Sequence, residues 1–114
     1  MAENFLEGSN VAAYVISEVT ILNEERAAAY RELAAASIER YQGRYLVRGQ
    51  RPDATEGVWP VEQRVVIVEF PSMEHARAWY ASPEYGQALA IRADALDRRL
   101  LFVDGVSGNV ADKP

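Results

Sequence analysis

The stretch that most constrains this chain is residues 64–70, RVVIVEF, where four apolar residues follow one another without a polar break. Three of the four are valine and the other is isoleucine, side chains that pack well on a pleated strand. Pro71 and Ser72 stop the run, because proline has no N–H for a ladder and serine caps a helix through its hydroxyl. A second run of the same kind, LLFV at 100–103, lies near the other end of the chain.

The rest reads in order around these two runs. VAAYVISEV, residues 11–19, is a first strand. Asn23 then caps a helix, with Glu24 and Glu25 where the helix dipole favours negative charge. Ala27, Tyr30, Ala34, Ile38 and Tyr41 recur at spacings of three and four and form its apolar stripe, and Gly43 is the expected left-handed cap. RYLVRG from Arg44 is a second strand, joined to the third by a long hairpin that turns near Val58, between Gly57 and Pro60. Ser72 caps a helix from Met73 to about Ala81. Ser82 and Pro83, a cap and a residue suited to the first helical position, begin another that reaches about Leu96. LLFVDG, ending at Gly105, is the last strand.

The order β-α-β-β-α-β predicts a ferredoxin-like α+β domain, one antiparallel sheet with its helices on one face. A strand with one wet face alternates apolar and polar residues, and residues 65–68 and 100–103 do not, so both sheet faces need cover. The helices supply one cover. The other is expected to be the sheet of a second copy, giving a homodimer through the sheet face, an α+β barrel. A single domain over residues 11–106 is expected, with residues 1–10 and 107–114 as flexible termini.

Composition narrows the function. The 114 residues carry a formal charge of −5, and the basic residues are scattered, so no phosphate-tracking surface is expected and no nucleic-acid partner. No apolar run reaches the roughly 20 residues of a membrane span, and MAENFLEGSN does not read as a secretory signal, so a cytoplasmic protein away from membranes is expected. Without cysteine, and with His75 as the lone histidine, no thiolate or polyhistidine metal site can form. All basic residues but Lys113 are arginine, the planar fork suited to carboxylates.

On YQGRYLVRG at 41–49, EG at 56–57, RVVIVEFPS at 64–72 and ARAWYASPEY at 76–85, the chain resembles the bacterial domain-of-unknown-function family 1330. The resemblance runs over roughly residues 14–105. The family belongs to the dimeric α+β barrel superfamily, in which substrates or haem sit between helices and sheet, and it implies no established activity. The chain is also similar to the superfamily's cofactor-free monooxygenases, which oxidise aromatic polyketides to quinones. There an asparagine, a tryptophan four residues on and a tyrosine six further line the pocket. Trp79 and Tyr85 match that spacing, and His75 stands at the asparagine position. In the haem-degrading members the axial histidine falls at the position of Leu89, which cannot ligate iron, so no haem and no other cofactor is expected.

The candidate site residues follow. Trp79, Tyr80 and Tyr85 are either plain core or the wall of a substrate pocket. Arg48 and Glu69, charges in otherwise apolar strands, are placed nearly opposite one another by the hairpin. They are either an ion pair that fixes register or a site, with Arg48 and neighbouring Arg64 as anion contacts and Glu69 as a proton acceptor. His75 is a candidate general base, since its unperturbed pKa lies near neutrality, or an inert surface residue. The functional expectation is a small enzyme without metal or cofactor, monooxygenase-like or isomerase-like, acting on an aromatic or carbonyl metabolite. The alternative is a non-catalytic module that binds a small ligand or serves only as a structural dimer.

Overall fold

A computed structural model describes residues 11–107. The expected flexible ends, Ser107 apart, lie outside the described residues. The elements are β1 (Ala13–Ile21), α1 (Glu24–Arg40), β2 (Arg44–Gln50), β3 (Arg64–Phe70), α2 (Met73–Tyr80), α3 (Pro83–Ala95) and β4 (Leu96–Asp104). All strand pairs are antiparallel, in the order β2-β3-β1-β4, so the fold is the ferredoxin-like α+β arrangement.

Three predicted caps form. Asn23, Ser72 and Ser82 each sit in extended backbone and accept from the N–H three residues on, at Arg26, His75 and Tyr85. The end of α1 differs from expectation. Gln42, not Gly43, takes the left-handed conformation, with φ 68°. Gln42 N–H donates to Glu39 O at 3.0 Å and Gly43 N–H to Ile38 O at 2.8 Å, the paired bonds of a Schellman ending. Gly43 is required for another reason. A Cβ there would lie 2.6 Å from Phe70 Cε1 and 2.9 Å from Ile38 Cγ2, inside the core. Gly43→Ala is therefore expected to cost about 1–3 kcal/mol by overpacking, read as a lower urea midpoint. Gly86→Ala, on an open helix position with nothing within 4 Å, should instead gain about 0.5–1 kcal/mol.

The last strand also starts earlier than expected. α3 stops at Ala95, whose carbonyl accepts from Leu22 N at 2.9 Å and Asn23 N at 3.2 Å, and β4 begins at once with Leu96. Residues 97–99, DRR, therefore belong to the sheet, a placement that bears on the site.

The sheet has two unlike faces. Val15, Val19, Val68, Phe70 and Leu96 point to the helices and are buried with Trp79, Tyr85 and Ala88 in the core. On the other face lie Tyr14, Ile16, Val65, Ile67, Leu101 and Val103, with none of the described helices over them. The continuous apolar runs arise because both faces of β3 and β4 are apolar.

Candidate functional site

α1 packs chiefly on α3 and stands off the sheet. The gap is a cavity of about 340 Å³. Its floor is Val15, Ser17, Val66, Val68 and Leu100 from the sheet, its roof Tyr30, Ala34 and Ile38 from α1, and Trp79 closes one end. Charged residues gather at the other end, where Glu24, Arg31, Arg48, Arg64 and Arg98 line it. A space of that size, largely apolar with a few polar groups, suits a small molecule.

The aromatic end is held rigidly. Trp79 is 2% exposed and its ring centroid is 4.2 Å from that of Tyr85 and 5.3 Å from that of Phe70. Its indole Nε1–H donates to Ser37 Oγ at 2.9 Å, and Ser37 donates onward to Ala34 O at 2.8 Å. Tyr85 is fully buried behind this wall and its hydroxyl lies 2.5 Å from that of Tyr30. Arg98 Nη1 donates to Tyr30 Oη at 2.9 Å, with its guanidinium 5.7 Å from the Tyr30 ring centre. Burial, and next the neighbouring Tyr30, push the Tyr85 phenol well above its ordinary pKa, so it keeps its proton. Burial opposes the charge on Arg98, but Tyr30 and Tyr85 outweigh it and hold the guanidinium above its usual value.

The cationic end comes from an irregular β2. Register shifts between Tyr45 and Val47, and again between Arg48 and Gln50, change the phase of the strand. Gly49, with φ 94°, permits the second. Tyr45 opposite Val68 and Arg48 opposite Val66 consequently both face the helices, and the Arg48 guanidinium lies 4.2 Å from the Tyr45 ring centre. Burial raises the Tyr45 pKa, against the pull of Arg48. Arg64 Nη1 donates to Gly49 O at 3.2 Å. Among the described residues no carboxylate pairs with Arg48, Arg64 or Arg98.

The structure thus brings Trp79, Arg48 and Arg64 to one cavity, with Tyr85 directly behind Trp79. It separates the others. Glu69 is opposite Arg44, not Arg48, and lies on the far face of the sheet, whereas the first shift turns Arg48 to the helix face. There it accepts from Arg44 Nε at 2.6 Å and from Tyr14 Oη at 3.2 Å. The expected pairing of Arg48 with Glu69 does not occur. His75 does not line the cavity. It is the helix position that Ser72 caps, and Ser72 Oγ is 2.7 Å from its Nδ1. Tyr80 is 41% exposed and stacks on Trp79, Tyr85 and Phe102 from outside.

Tyr30, Tyr45 and Arg98 are site residues that sequence reasoning missed. Tyr30 was readable only as part of the apolar stripe of α1, and Arg98 lay between the helix read to about Leu96 and the strand read from Leu100. Among the described residues no group of three or more histidine or carboxylate side chains is disposed to hold a metal ion, and no helix is long and apolar enough to cross a membrane.

The family model for a domain of unknown function, DUF1330, matches residues 12–106. Comparison with curated proteins finds no match. Among solved structures, a protein of unknown function from Rhodopseudomonas palustris is similar, with TM-score 0.70 and 21% identity over 94% of this chain and 95% of that one. SnoaB, a cofactor-independent oxygenase from Streptomyces nogalater, is similar with TM-score 0.60 and 12% identity over 80% and 89%. A Caulobacter crescentus protein named provisionally as an antibiotic biosynthesis monooxygenase gives TM-score 0.55 and 16% identity over 94% and 100%. At these identities the likeness is one of fold.

Proposed function

The chain belongs to the DUF1330 family, and from that premise we propose that it binds a small, flat, anionic metabolite between α1 and the sheet and acts on it without metal or organic cofactor. The ligand class is an aromatic or carbonyl compound that carries a carboxylate, or that ionises to an enolate or phenolate. The observation that carries this reading is the set of three arginines, Arg48, Arg64 and Arg98, at an apolar cavity where, among the described residues, none of them forms an ion pair, even with Glu24 in the same lining. In a chain of formal charge −5, cations gathered at one cavity draw an anion there and not elsewhere. An arginine fork also binds carboxylate and enolate oxygens through two donors.

An enolate or phenolate is the intermediate that proton-transfer isomerisation and cofactor-free oxygenation have in common, and donors aimed at the developing oxyanion favour both. The oxygenase reading draws on SnoaB, which has this fold and is described as cofactor-independent. Trp79, with Tyr85 packed behind it, supplies a rigid apolar end for the body of the ligand. His75 and Glu69 take no part, being occupied at the Ser72 cap and with Arg44 on the far face. The working unit is a homodimer through the face that bears Ile16, Ile67 and Leu101.

Naphthoate tests the binding reading, with melting temperature and ligand-induced stabilisation measured together. Arg48 is exposed, so Arg48→Gln is expected to leave the melting temperature unchanged and to weaken naphthoate about tenfold, the worth of one charged hydrogen bond. An undiminished response in both Arg48→Gln and Arg64→Gln would sink the cationic site.

A further inference from the structure

The Tyr30–Tyr85–Arg98 cluster has one hydroxyl proton more than it can use internally, and its geometry says where that proton goes. Arg98 is a donor only, and a phenol has one proton to give. Its guanidinium donates to Tyr30 Oη at 2.9 Å, and a second hydrogen bond joins the two phenols at 2.5 Å. One of the two phenol protons makes that bond, and the other needs an acceptor outside the cluster. If Tyr30 were the donor, the proton of Tyr85 would be left over in a fully buried position with no other acceptor among the described residues. A buried unsatisfied donor costs its full desolvation. Tyr85 is therefore the donor, consistent with the burial that keeps it protonated. Tyr30 oxygen then accepts from both Tyr85 and Arg98, so its own O–H must turn elsewhere. Tyr30 lines the cavity and Tyr85 does not.

We infer that Tyr30 directs its O–H into the cavity and, with Arg98 beside it, is the group that holds the oxyanion of the bound ligand, selecting an enolate or phenolate oxygen. Tyr85 is a positioning residue that acts through Tyr30 and through Arg98, whose guanidinium lies 5.9 Å from its ring centre. The inference rests on the proposed anion cavity and adds to it the contact that reads the reacting oxygen. An oxygen that approaches Tyr30 and Arg98 meets a neutral donor and a charged donor from one side, the arrangement that favours localised negative charge over a neutral carbonyl. No proton need be transferred for this role: Tyr30 holds a hydrogen bond in the free and bound states, to water or solvent in one and to the ligand oxygen in the other.

The test uses para-nitrophenol, whose phenolate absorbs separately from its phenol, and nitrotoluene, a neutral compound of like size. Wild type is expected to bind the phenolate with its absorption band displaced from that in buffer. Tyr30→Phe should weaken the phenolate about tenfold or more, the worth of a hydrogen bond to a charged acceptor, and return the band toward its position in buffer. Nitrotoluene should bind both proteins alike, which a merely structural loss would not allow. Tyr85→Phe should weaken the phenolate only a few fold, since Tyr30 keeps its own proton and the Arg98 contact. Should Tyr30→Phe fold poorly because Tyr85 is left without an acceptor, Tyr30→Phe/Tyr85→Phe removes both hydroxyls and takes its place. Unchanged phenolate affinity and band in Tyr30→Phe, while Arg48→Gln still weakens naphthoate, would overturn the role of Tyr30 and leave the cavity reading standing. A wild type that binds neither nitrophenolate nor naphthoate would remove both.

Discussion

Trp79→Ala is expected to lower the unfolding free energy by about 3–5 kcal/mol, the range for truncating a buried aromatic. Urea unfolding at constant m-value measures it, and the midpoint should fall accordingly. Trp79 is the hub of the aromatic cluster, packed on Phe70, Tyr85, Tyr80 and Phe102. Removing the ring also enlarges the cavity that it closes, so the space left cannot be recovered by local collapse alone. Trp79→Phe separates the ring from its N–H. Ser37 still has Ala34 O as acceptor once the indole is gone, so no buried group is orphaned and the loss should be nearer 1 kcal/mol. A loss below about 1 kcal/mol for Trp79→Ala would contradict the core role. The expectation treats packing and pocket wall as one function: a wall two side chains thick is rigid because it is core.

Much of the fold was legible because the signals are local. Asn23, Ser72 and Ser82 announce their helices through a side-chain oxygen that reaches three residues ahead, a relation that needs no tertiary information. The apolar stripe of α1 likewise follows from its period. The site was less legible, for a reason visible in β2. Strand alternation assigns faces only while the phase holds, and two register shifts within seven residues break it. Counting in twos from Arg44 therefore sends Arg48 to the wrong face, the one that bears Glu69. Gly49 carried a signal, since a glycine inside a strand often marks a bulge. Arg98 was hidden differently. The end of α3 is set by the Ala95 carbonyl accepting from Leu22 and Asn23, a contact between distant segments that no window on residues 92–100 contains. Tyr30 shows a third kind of limit: its place in the stripe predicts burial, but only the distances to Arg98 and Tyr85 show that its hydroxyl joins a polar cluster.

Leu101→Glu is expected to convert the proposed dimer to monomer while leaving the protomer folded. Leu101 lies on the sheet face away from the described helices, flanked by Ile16, and is 42% exposed in the protomer, so a carboxylate there stays in water when the chain is alone. Surface changes of this kind usually fall within about 0.5 kcal/mol. In a two-fold dimer the same carboxylate would be buried without a partner, and near the axis it would meet its own copy. An unpaired buried charge costs about 3–5 kcal/mol, more than a hundredfold in dissociation constant. A second copy suits this face on charge as well as on apolarity. Glu18 is paired with Arg99 at 2.8 Å and Glu69 with Arg44 at 2.6 Å, so these two carboxylates are neutralised within each protomer and do not repel a copy of themselves. Light scattering across a concentration series decides: wild type should be dimeric at micromolar protein and Leu101→Glu monomeric, and a monomeric wild type would sink the proposal. The cavity lies on the opposite face of the same strands, where Val15, Ser17 and Leu100 point while Ile16 and Leu101 point away. Naphthoate binding should therefore survive in the Leu101→Glu monomer. If it is lost with the dimer, the two faces are coupled through β1 and β4, and the site depends on the second copy.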